Sequence, residues 1–282
     1  MSSAHSPTVR RRRLALELRR LRESARLTCE EVADRLECSA SKISRVETGR
    51  VSVSPRDVRD LLEIYGVPEE ERESLVQLAR ESRQKGWWHA YADSVQPHYA
   101  TYLGMESAAS EIRIFRVNHI PGLLQTEDYA RALIGQTAGN SGAEDHRRFD
   151  ILTERQRQSQ ENAPRVWIVL DEAALRRHVG GPEVMRAQIE HLRDLRLTPN
   201  FFLQVVPFGG EAQACMDSPF TILGFPDHLD PNVVCLRYAT GVLWVEDLAE
   251  VDRYHVFFHH LQAAALSFDE SVNLMTSVLK DL

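Results

Sequence analysis

The sequence predicts an α+β protein, in which an all-α head of five helices precedes a mixed α+β domain with a roughly five-stranded sheet. Five amphipathic segments, each with its own start or stop signal, fill roughly the first 80 residues. From residue 165, short runs of β-branched and aromatic residues alternate with glycine and proline turns. The chain of 282 residues is long enough for two domains, which we place at residues 1–83 and 84–282.

The head begins with a helix over residues 9–25 whose leucines share one face. Ser54 and Pro55 start the fourth helix, because a hydroxyl caps the first amides and proline fits the first turn. Pro68 starts the fifth helix, and the acidic residues after it favour the positive end of the helix dipole. We expect the following side chains in the core of the head: Leu14, Leu18, Leu21, Val58, Leu61, Leu62, Tyr65, Leu75, Leu78 and Ala79.

Residues 28–49 predict two short helices joined by a turn. Thr28 and Glu31 form a capping box at the first start, and Ser39 caps the second helix. The inward positions of the second helix are Ile43 and Val46. A helix that presents small and basic residues to solvent suits the major groove of DNA. The predicted outward positions are Ala40, Ser41, Lys42, Ser44 and Arg45.

These residues resemble the Xre or phage-repressor class of helix-turn-helix proteins. The string Ser-x-x-x-Ile-Ser-Arg-Val-Glu-x-Gly over residues 39–49 is similar to the recognition helix of that family and its exit. The resemblance implies that Arg22 and Glu47 pair, which ties the first helix to the end of the recognition helix. The chain departs from the family at Glu37, where the turn between the helices usually has glycine. A non-glycine residue held there at positive φ costs on the order of 1 kcal/mol.

The resemblance implies a site for double-stranded DNA. The first residues of the recognition helix lie deepest in the groove, and Arg45 is placed to bind guanine. The start of the preceding helix offers backbone N–H groups to a phosphate. Since one head buries little surface, we expect a homodimer on a palindromic operator, held through the C-terminal part. The expected DNA-binding residues are Thr28, Cys29, Ser39, Ala40, Ser41, Lys42, Ser44, Arg45 and Arg50.

The net charge of −7 is unevenly distributed along the chain. Residues 1–59 carry 14 Lys and Arg against 8 Asp and Glu, whereas the remainder carries 20 against 33. The basic end therefore coincides with the predicted DNA-reading helices, which is where phosphate contact requires it. The run Arg10–Arg13 is either a set of phosphate contacts or a solvated helix end.

The second part predicts a helix over 103–117, a Pro-Gly turn and a helix capped by Thr126, a loop over 138–143, and a charged helix over 145–160. Further helices are expected at 171–178, 182–197, 247–261 and 268–279. The predicted strands are 165–170, 201–206, 220–225, 233–238 and 242–245, the last two forming a hairpin.

Three strings in this part resemble the large C-terminal domain of many actinobacterial Xre-type regulators. They are Ile-Pro-Gly-Leu-Leu-Gln-Thr at 120–126, Leu-Asp-Glu-Ala-Ala-Leu-Arg-Arg at 170–177, and Val-Val-Pro-Phe-Gly-Gly at 205–210. Such domains are described as antitoxin-like, and the resemblance implies a small acidic partner protein encoded nearby. Aromatic residues near the domain junction are either core or a site for that partner or a ligand. They are Trp87, Trp88, Tyr91, Tyr99 and Tyr102.

A DNA-tethered enzyme is the alternative, but the sequence favours a non-enzymatic regulator without cofactor or metal. His255 and His259 are four residues apart, as in some metal sites, yet no third ligand is evident. Asp171 and Glu172 are a possible catalytic pair, although capping explains them as well. The four cysteines show no Cys-x-x-Cys spacing and indicate reduced thiols. With no membrane span or secretory signal in the sequence, we expect a cytoplasmic, nucleoid-associated protein.

Overall fold

The computed structural model of the protein describes residues 6–136, 142–210, 214–238 and 240–282. Its contacts divide the chain into two compact units, Met1–His89 and Ala90–Leu282. The boundary predicted from the sequence, after residue 83, precedes this division. No helix within the described ranges is both long and apolar enough to cross a lipid bilayer.

Five α-helices build the first unit, as predicted. Side-chain caps fix the starts of the first four, whereas the fifth follows Pro68 without a side-chain cap. The hydroxyls of Ser39 and Ser54 each accept a hydrogen bond from the backbone N–H three residues later. The left-handed backbone of Gly66, with φ of +73°, follows the fourth helix. The helices are α1 (Pro7–Ser24), α2 (Cys29–Arg35), α3 (Ala40–Glu47), α4 (Pro55–Ile64) and α5 (Glu69–Ser82).

One apolar core joins these five helices. The predicted inward residues of α1, α3 and α4 are buried in it, apart from Leu21, which is only partly buried. In α5 the prediction was wrong in detail, because Val76 is fully buried whereas Leu75 and Leu78 only flank the core. Val76 and Ala79 are three residues apart and therefore share one face of α5, which packs against α1.

The described residues of the second unit form one mixed sheet of six strands, in the order β3-β2-β1-β4-β5-β6. The first three strands are parallel, and the last three are antiparallel to their neighbours, starting with β4 beside β1. Strands β5 and β6 form the predicted hairpin. The strands are β1 (Glu111–Arg116), β2 (Arg165–Asp171), β3 (Phe201–Val206), β4 (Phe220–Gly224), β5 (Val233–Tyr238) and β6 (Gly241–Val245).

Helices connect β1 to β2 and β2 to β3, and helices lie on both faces of the sheet. The loop predicted over 138–143 lies mostly outside the described residues, and α8 begins within it. The helix predicted over 171–178 is only one turn long. The helices are α6 (Pro97–Ala108), α7 (Glu127–Gly135), α8 (Gly142–Asn162), α9 (Ala173–Arg176), α10 (Pro182–Asp194), α11 (Leu248–Ala264) and α12 (Phe268–Asp281), with short 3-10 turns at Trp87–Tyr91, Gly122–Leu124, Leu195–Leu197 and Ala214–Asp217.

Alternation along the strands separates two faces of the sheet. Phe115, Phe220 and Val234 point to the face covered by α11, where they form a core with Val251 and Phe258. The residues next to them in each strand point to the opposite face. On that opposite face Tyr102 of α6 stacks with Trp244 of β6, their ring centroids 6.4 Å apart.

The helix predicted over residues 103–117 was wrong in its second half. The helix α6 ends at Ala108, and the next residues form the strand β1 in the middle of the sheet. The spacing from Leu103 to Phe115 fits a helix as well as a strand. The alternating string Glu-Ile-Arg-Ile-Phe-Arg at 111–116 finds partners on both sides, β2 and β4, and this pairing decides the structure.

Candidate nucleic-acid interface

The helix predicted to read DNA is α3, which begins after its cap Ser39. The hydroxyl of Ser39 accepts a hydrogen bond from the N–H of Lys42 at 3.2 Å. Ile43 and Val46 turn inward and are buried in the core of the first unit. The predicted two-helix motif and its inward positions are therefore confirmed.

The preceding helix, α2, starts with the predicted capping box. The hydroxyl of Thr28 accepts from the N–H of Glu31 at 3.2 Å, and the Glu31 carboxylate accepts from the N–H of Thr28 at 2.8 Å. The bonds that the Glu31 carboxylate accepts from the N–H and the hydroxyl of Thr28 hold its pKa below the ordinary value. The capping box fixes the direction in which α2 leaves the loop after α1.

A partly buried ion pair braces the end of α3. The Arg22 guanidinium donates from Nε and Nη2 to the Glu47 carboxylate, at 2.8 and 2.9 Å. It also donates from Nη1 to the Leu27 carbonyl at 2.8 Å, so it joins α1, the loop before α2, and α3. The Tyr65 hydroxyl adds a bond to Glu47 at 3.3 Å. The predicted pair is therefore present, with the Glu47 side chain only 4% exposed.

The turn between α2 and α3 has the strained backbone that its sequence predicts. Glu37 stands at φ of +50°, in the left-handed region that glycine adopts more easily. The turn is closed by a hydrogen bond from the N–H of Cys38 to the Ala33 carbonyl, at 2.9 Å. The chain therefore holds this left-handed turn position with glutamate instead of glycine.

Exposure divides the nine predicted DNA-binding residues into two sets. Six are exposed, namely Thr28, Ser39, Ser41, Ser44, Arg45 and Arg50, and three are half-buried, namely Cys29, Ala40 and Lys42. Cys29 and Ala40 pack against the core of the first unit. The half-buried position of Ala40 differs from its predicted outward one, because the first turn of α3 lies against the core.

The two cations of α3 have different surroundings. The ammonium of Lys42 donates to the Asp57 carboxylate of α4 at 3.0 Å. Burial acts to raise the pKa of Asp57, but the bonds from Lys42 and Ser54 hold it below its ordinary value. The Arg45 guanidinium donates only to the Ser41 carbonyl, at 3.2 Å, among the described residues. Arg45 is therefore the cation of α3 without a carboxylate partner there.

The run Arg10–Arg13 was predicted to be either a set of phosphate contacts or a solvated helix end. Its side chains are less exposed than either prediction assumes. Arg12 is buried, and the other three arginines are half-buried. Arg10 pairs with Glu81 of α5 at 3.2 Å. This part of α1 therefore helps to hold the first unit together.

The predicted aromatic set is divided between the two units. Trp87 and Trp88 belong to the first unit, and Tyr91, Tyr99 and Tyr102 belong to the second. Trp88 is buried, and a Cβ at Gly86 would overlap its indole ring. The predicted partner or ligand site made of all five aromatics is not assembled within either unit.

Tyr99 and Tyr102 lie instead beside a buried ion pair that the sequence did not reveal. Arg155 of α8 donates from Nε and Nη2 to the two oxygens of Glu106 on α6, both at 2.8 Å. Both side chains are 7% exposed. Tyr102 donates to Glu106 at 2.7 Å, and Arg155 donates to the Tyr99 hydroxyl at 3.1 Å. Although burial favours the neutral acid, Arg155 holds the pKa of Glu106 below its ordinary value.

The family-like segment 120–126 is fixed by glutamine side chains. Gln188 of α10 donates to the Leu124 carbonyl at 2.7 Å and accepts from the N–H of Thr126 at 2.8 Å. Gln156 of α8 donates to the carbonyls of Gly122 and Gln125, both at 2.8 Å. The predicted cap Thr126 is at the start of α7, but its hydroxyl bonds to Gln188 and does not cap the helix.

The possible catalytic pair Asp171 and Glu172 has structural partners. Asp171 accepts from the N–H of Ala173 at 2.8 Å, at the start of α9. Glu172 accepts from Arg176 at 2.6 Å and from the N–H of Phe208 at 2.8 Å. Glu172 thus joins two of the family-like strings, 170–177 and 205–210.

The pair His255 and His259 differs in surroundings, because His255 is half-buried and His259 is exposed. Both ring nitrogens of His255 have partners: Nδ1 lies 2.6 Å from Nη1 of Arg113, and Nε2 lies 3.1 Å from Nδ2 of Asn232. Burial and the charge of Arg113 lower its pKa. Within the described residues, no group of three His, Cys, Asp or Glu side chains is arranged to hold a metal.

Comparison with known families agrees with this division of the chain. Residues 13–75 match a family described as a helix-turn-helix domain, so the first unit is of the class that binds DNA. Residues 99–277 match the family described as domain of unknown function DUF5753, and the protein belongs to that family. Neither a curated protein nor a solved structure matches the chain.

Proposed function

We propose that this protein is a sequence-specific transcriptional regulator of the Xre type, which acts as a homodimer on a palindromic operator. The exposed helix α3, which presents Ser41, Ser44 and Arg45 to solvent, is the single observation that carries this proposal. Small side chains let a helix approach the bases, and a guanidinium matches the paired acceptors of guanine. The dimer supplies the second half of the contact surface.

The second unit, in this proposal, senses a small acidic partner protein or a ligand, in the antitoxin-like manner that the family-like strings imply. It acts without catalysis, and the protein works in the cytoplasm on the nucleoid. The structural partners of Asp171 and Glu172 support the non-enzymatic role, because a carboxylate held by several bonds is poorly placed to exchange protons with a substrate.

The proposal is tested by selecting a preferred duplex from random DNA and measuring the affinity of Arg45→Ala for it. A bidentate contact to guanine is worth about 1–3 kcal/mol, so this variant should lose most of its sequence preference. It should retain weak binding that salt weakens, since phosphate contacts remain. Arg80→Ala is the matched control, because Arg80 is an exposed arginine on α5 that pairs with Glu73.

An equal loss of specific and non-specific affinity would make Arg45 a phosphate contact instead. If the wild-type protein bound all duplex sequences with equal affinity, with or without its cellular partners, the proposal of a sequence-specific regulator would be refuted. Genome-wide footprinting with and without the neighbouring small gene tests the partner. The footprints should change when an acidic partner is removed, and an unchanged pattern would contradict that part.

A further inference from the structure

Three arginines meet on the sheet face that lies opposite α11. Arg116 ends β1, Arg237 lies near the end of β5, and Arg155 projects from α8. The Cζ atoms of Arg155 and Arg237 lie 5.5 and 5.7 Å from the ring centroid of Tyr102. The same two atoms lie 6.0 and 5.2 Å from the ring centroid of Tyr99. The two guanidinium groups therefore approach one pair of stacked rings.

The strand register brings Arg116 to the same level of the sheet as Arg237. Ile114 of β1 pairs with Thr221 of β4, and Phe220 pairs with Leu236 of β5. When each ladder is continued, residues 116 and 237 both come opposite position 219. One strand lies between them, so their backbones are about 10 Å apart, twice the usual spacing of neighbouring strands. Two long side chains on one face can bind a small molecule across that gap.

The positive charges of this cluster exceed the negative ones. Glu106 neutralises Arg155 by the two-bonded pair described above. Arg116 donates only to neutral oxygens, which are the carbonyls of Phe115 and Phe220 at 2.7 and 2.8 Å and the Thr221 hydroxyl at 2.8 Å. The guanidinium of Arg237 makes no hydrogen bond or ion pair with any residue in the described ranges. Two cations therefore remain without a carboxylate partner in that part of the chain.

The charges of Arg116 and Arg237 both act on His119. Partial burial and the charges of Arg116 and Arg237 together lower the pKa of His119. Burial and the charge of Arg237 also lower the pKa of Arg116. His119 and Arg237 are exposed, so the cluster is open to solvent on that side. Like charges held close together at a solvent-accessible place attract an anion.

We propose that Arg116 and Arg237 bind the phosphate group of a small molecule, with Tyr99 contributing a third contact. A phosphate dianion balances the two unpartnered charges, and guanidinium groups match its oxygens with paired bonds. The Tyr99 hydroxyl accepts from Arg155, and its own proton is available to donate to the bound anion. Inorganic phosphate and a phosphate monoester share this chemistry.

The idea that this anion is the ligand sensed by the second unit rests on the proposed function. The binding of the anion to the arginines does not. The test therefore measures binding by the full chain directly. Calorimetric titrations use inorganic phosphate, adenosine monophosphate, uncharged adenosine and the dicarboxylate succinate. Phosphate or the monophosphate should bind at least tenfold more tightly than adenosine and succinate. Preference for the monophosphate over free phosphate identifies the ester as the ligand.

Arg237→Gln is the decisive variant, because Arg237 is exposed and its guanidinium, apart from lying over the rings of Tyr99 and Tyr102, makes no hydrogen bond or ion pair among the described residues. It should weaken phosphate binding about tenfold or more, as expected for removal of a charged hydrogen-bonding partner. Arg253→Gln is the matched control, since Arg253 is exposed on α11, which covers the other face of the sheet. A thermal unfolding curve confirms that each variant is folded.

Three results would overturn the proposal. The first is that the wild-type chain binds neither phosphate probe at millimolar concentration. The second is equal weakening by Arg237→Gln and Arg253→Gln, which would indicate only a general charge effect. The third is equal binding of succinate and phosphate, which would indicate a site for any anion. A chain that binds phosphate but no DNA would contradict the proposed function and leave this site in place.

Discussion

At the residue scale, two buried carboxylates, Glu47 and Glu106, are each paired with an arginine from another helix. Arg22 with Glu47 joins the helices of the first unit, and Arg155 with Glu106 joins α6 and α8 in the second. In both pairs the guanidinium donates two bonds to one carboxylate. Such pairs are costly to break, because the remaining partner is left charged and poorly hydrated.

Glu47→Ala should destabilise the first unit by about 3–5 kcal/mol, since it leaves Arg22 without its carboxylate. The free energy of unfolding, measured with urea on the full chain, gives the magnitude. The control is Glu73→Ala, because Glu73 is exposed and pairs with Arg80 on the surface of α5. An unchanged midpoint for Glu47→Ala would show that the pair does not contribute to stability.

The stability of the second unit should fall as the pH drops below about 6.5, the ordinary pKa of histidine. The folded-state pKa of His255 is lowered, so in this range the unfolded chain binds more protons than the folded one. The charged and titratable groups near it are Arg113, Glu111, Asp252 and His259. His255→Gln should reduce the slope of stability against pH, whereas His260→Gln, an exposed site on the same helix, should not. An equal slope in both variants would contradict this assignment.

Which residues could be predicted from the sequence depended on their spacing along the chain. The caps Thr28 and Ser39 were predictable because their partners lie three residues away. The pair Arg22 and Glu47 was predictable only from a family resemblance. The arginine cluster was not predictable, since Glu106, Arg116, Arg155 and Arg237 come together only when α6, α8 and two strands pack.

At the scale of elements, local signals predicted the helices of the first unit and five of the six strands. They failed at β1, where an apolar spacing suits both a helix and a strand. The choice there depends on pairing with β2, whose sequence begins about fifty residues later. Central strands are therefore the elements that a single sequence identifies least well when their neighbours are distant.

Two glycine substitutions, one in the turn between α2 and α3 and one just before it, should change the stability of the first unit in opposite directions. Glu37→Gly should stabilise the first unit by up to about 1 kcal/mol, because it removes the cost of positive φ. The gain is reduced by the conformational entropy that glycine adds to the unfolded chain. Arg35→Gly, at the last residue of α2, should destabilise by up to about 1 kcal/mol. Unfolding free energies of the two variants test this. Destabilisation by Glu37→Gly would show that the Glu37 side chain makes a contribution larger than the strain.

At the scale of the whole molecule, charge is unevenly divided along the chain. The basic N-terminal end carries the predicted DNA-binding surface, and the acidic remainder carries the DUF5753 domain. A net negative charge on most of the chain repels DNA, which restricts contact to the basic end. The overall charge of a two-domain protein therefore says little about whether it binds nucleic acid.

A fragment of residues 1–89 should fold, because the first unit has its own apolar core. We expect it to be a monomer that binds the selected operator at least a hundredfold more weakly than the full chain, since the dimer contacts are lost. Sedimentation and a binding titration at one salt concentration measure the two properties. A fragment as tight as the full chain would refute dimerisation through the second unit.

The pair of Arg155 and Glu106 also constrains how this protein can change over generations. Replacing either one alone leaves an ion without its counter-charge between α6 and α8, so single substitutions there should be eliminated by selection. Neutral residues of similar volume are tolerated only when both positions change together. Descendants of this chain should therefore either retain both residues or have lost both.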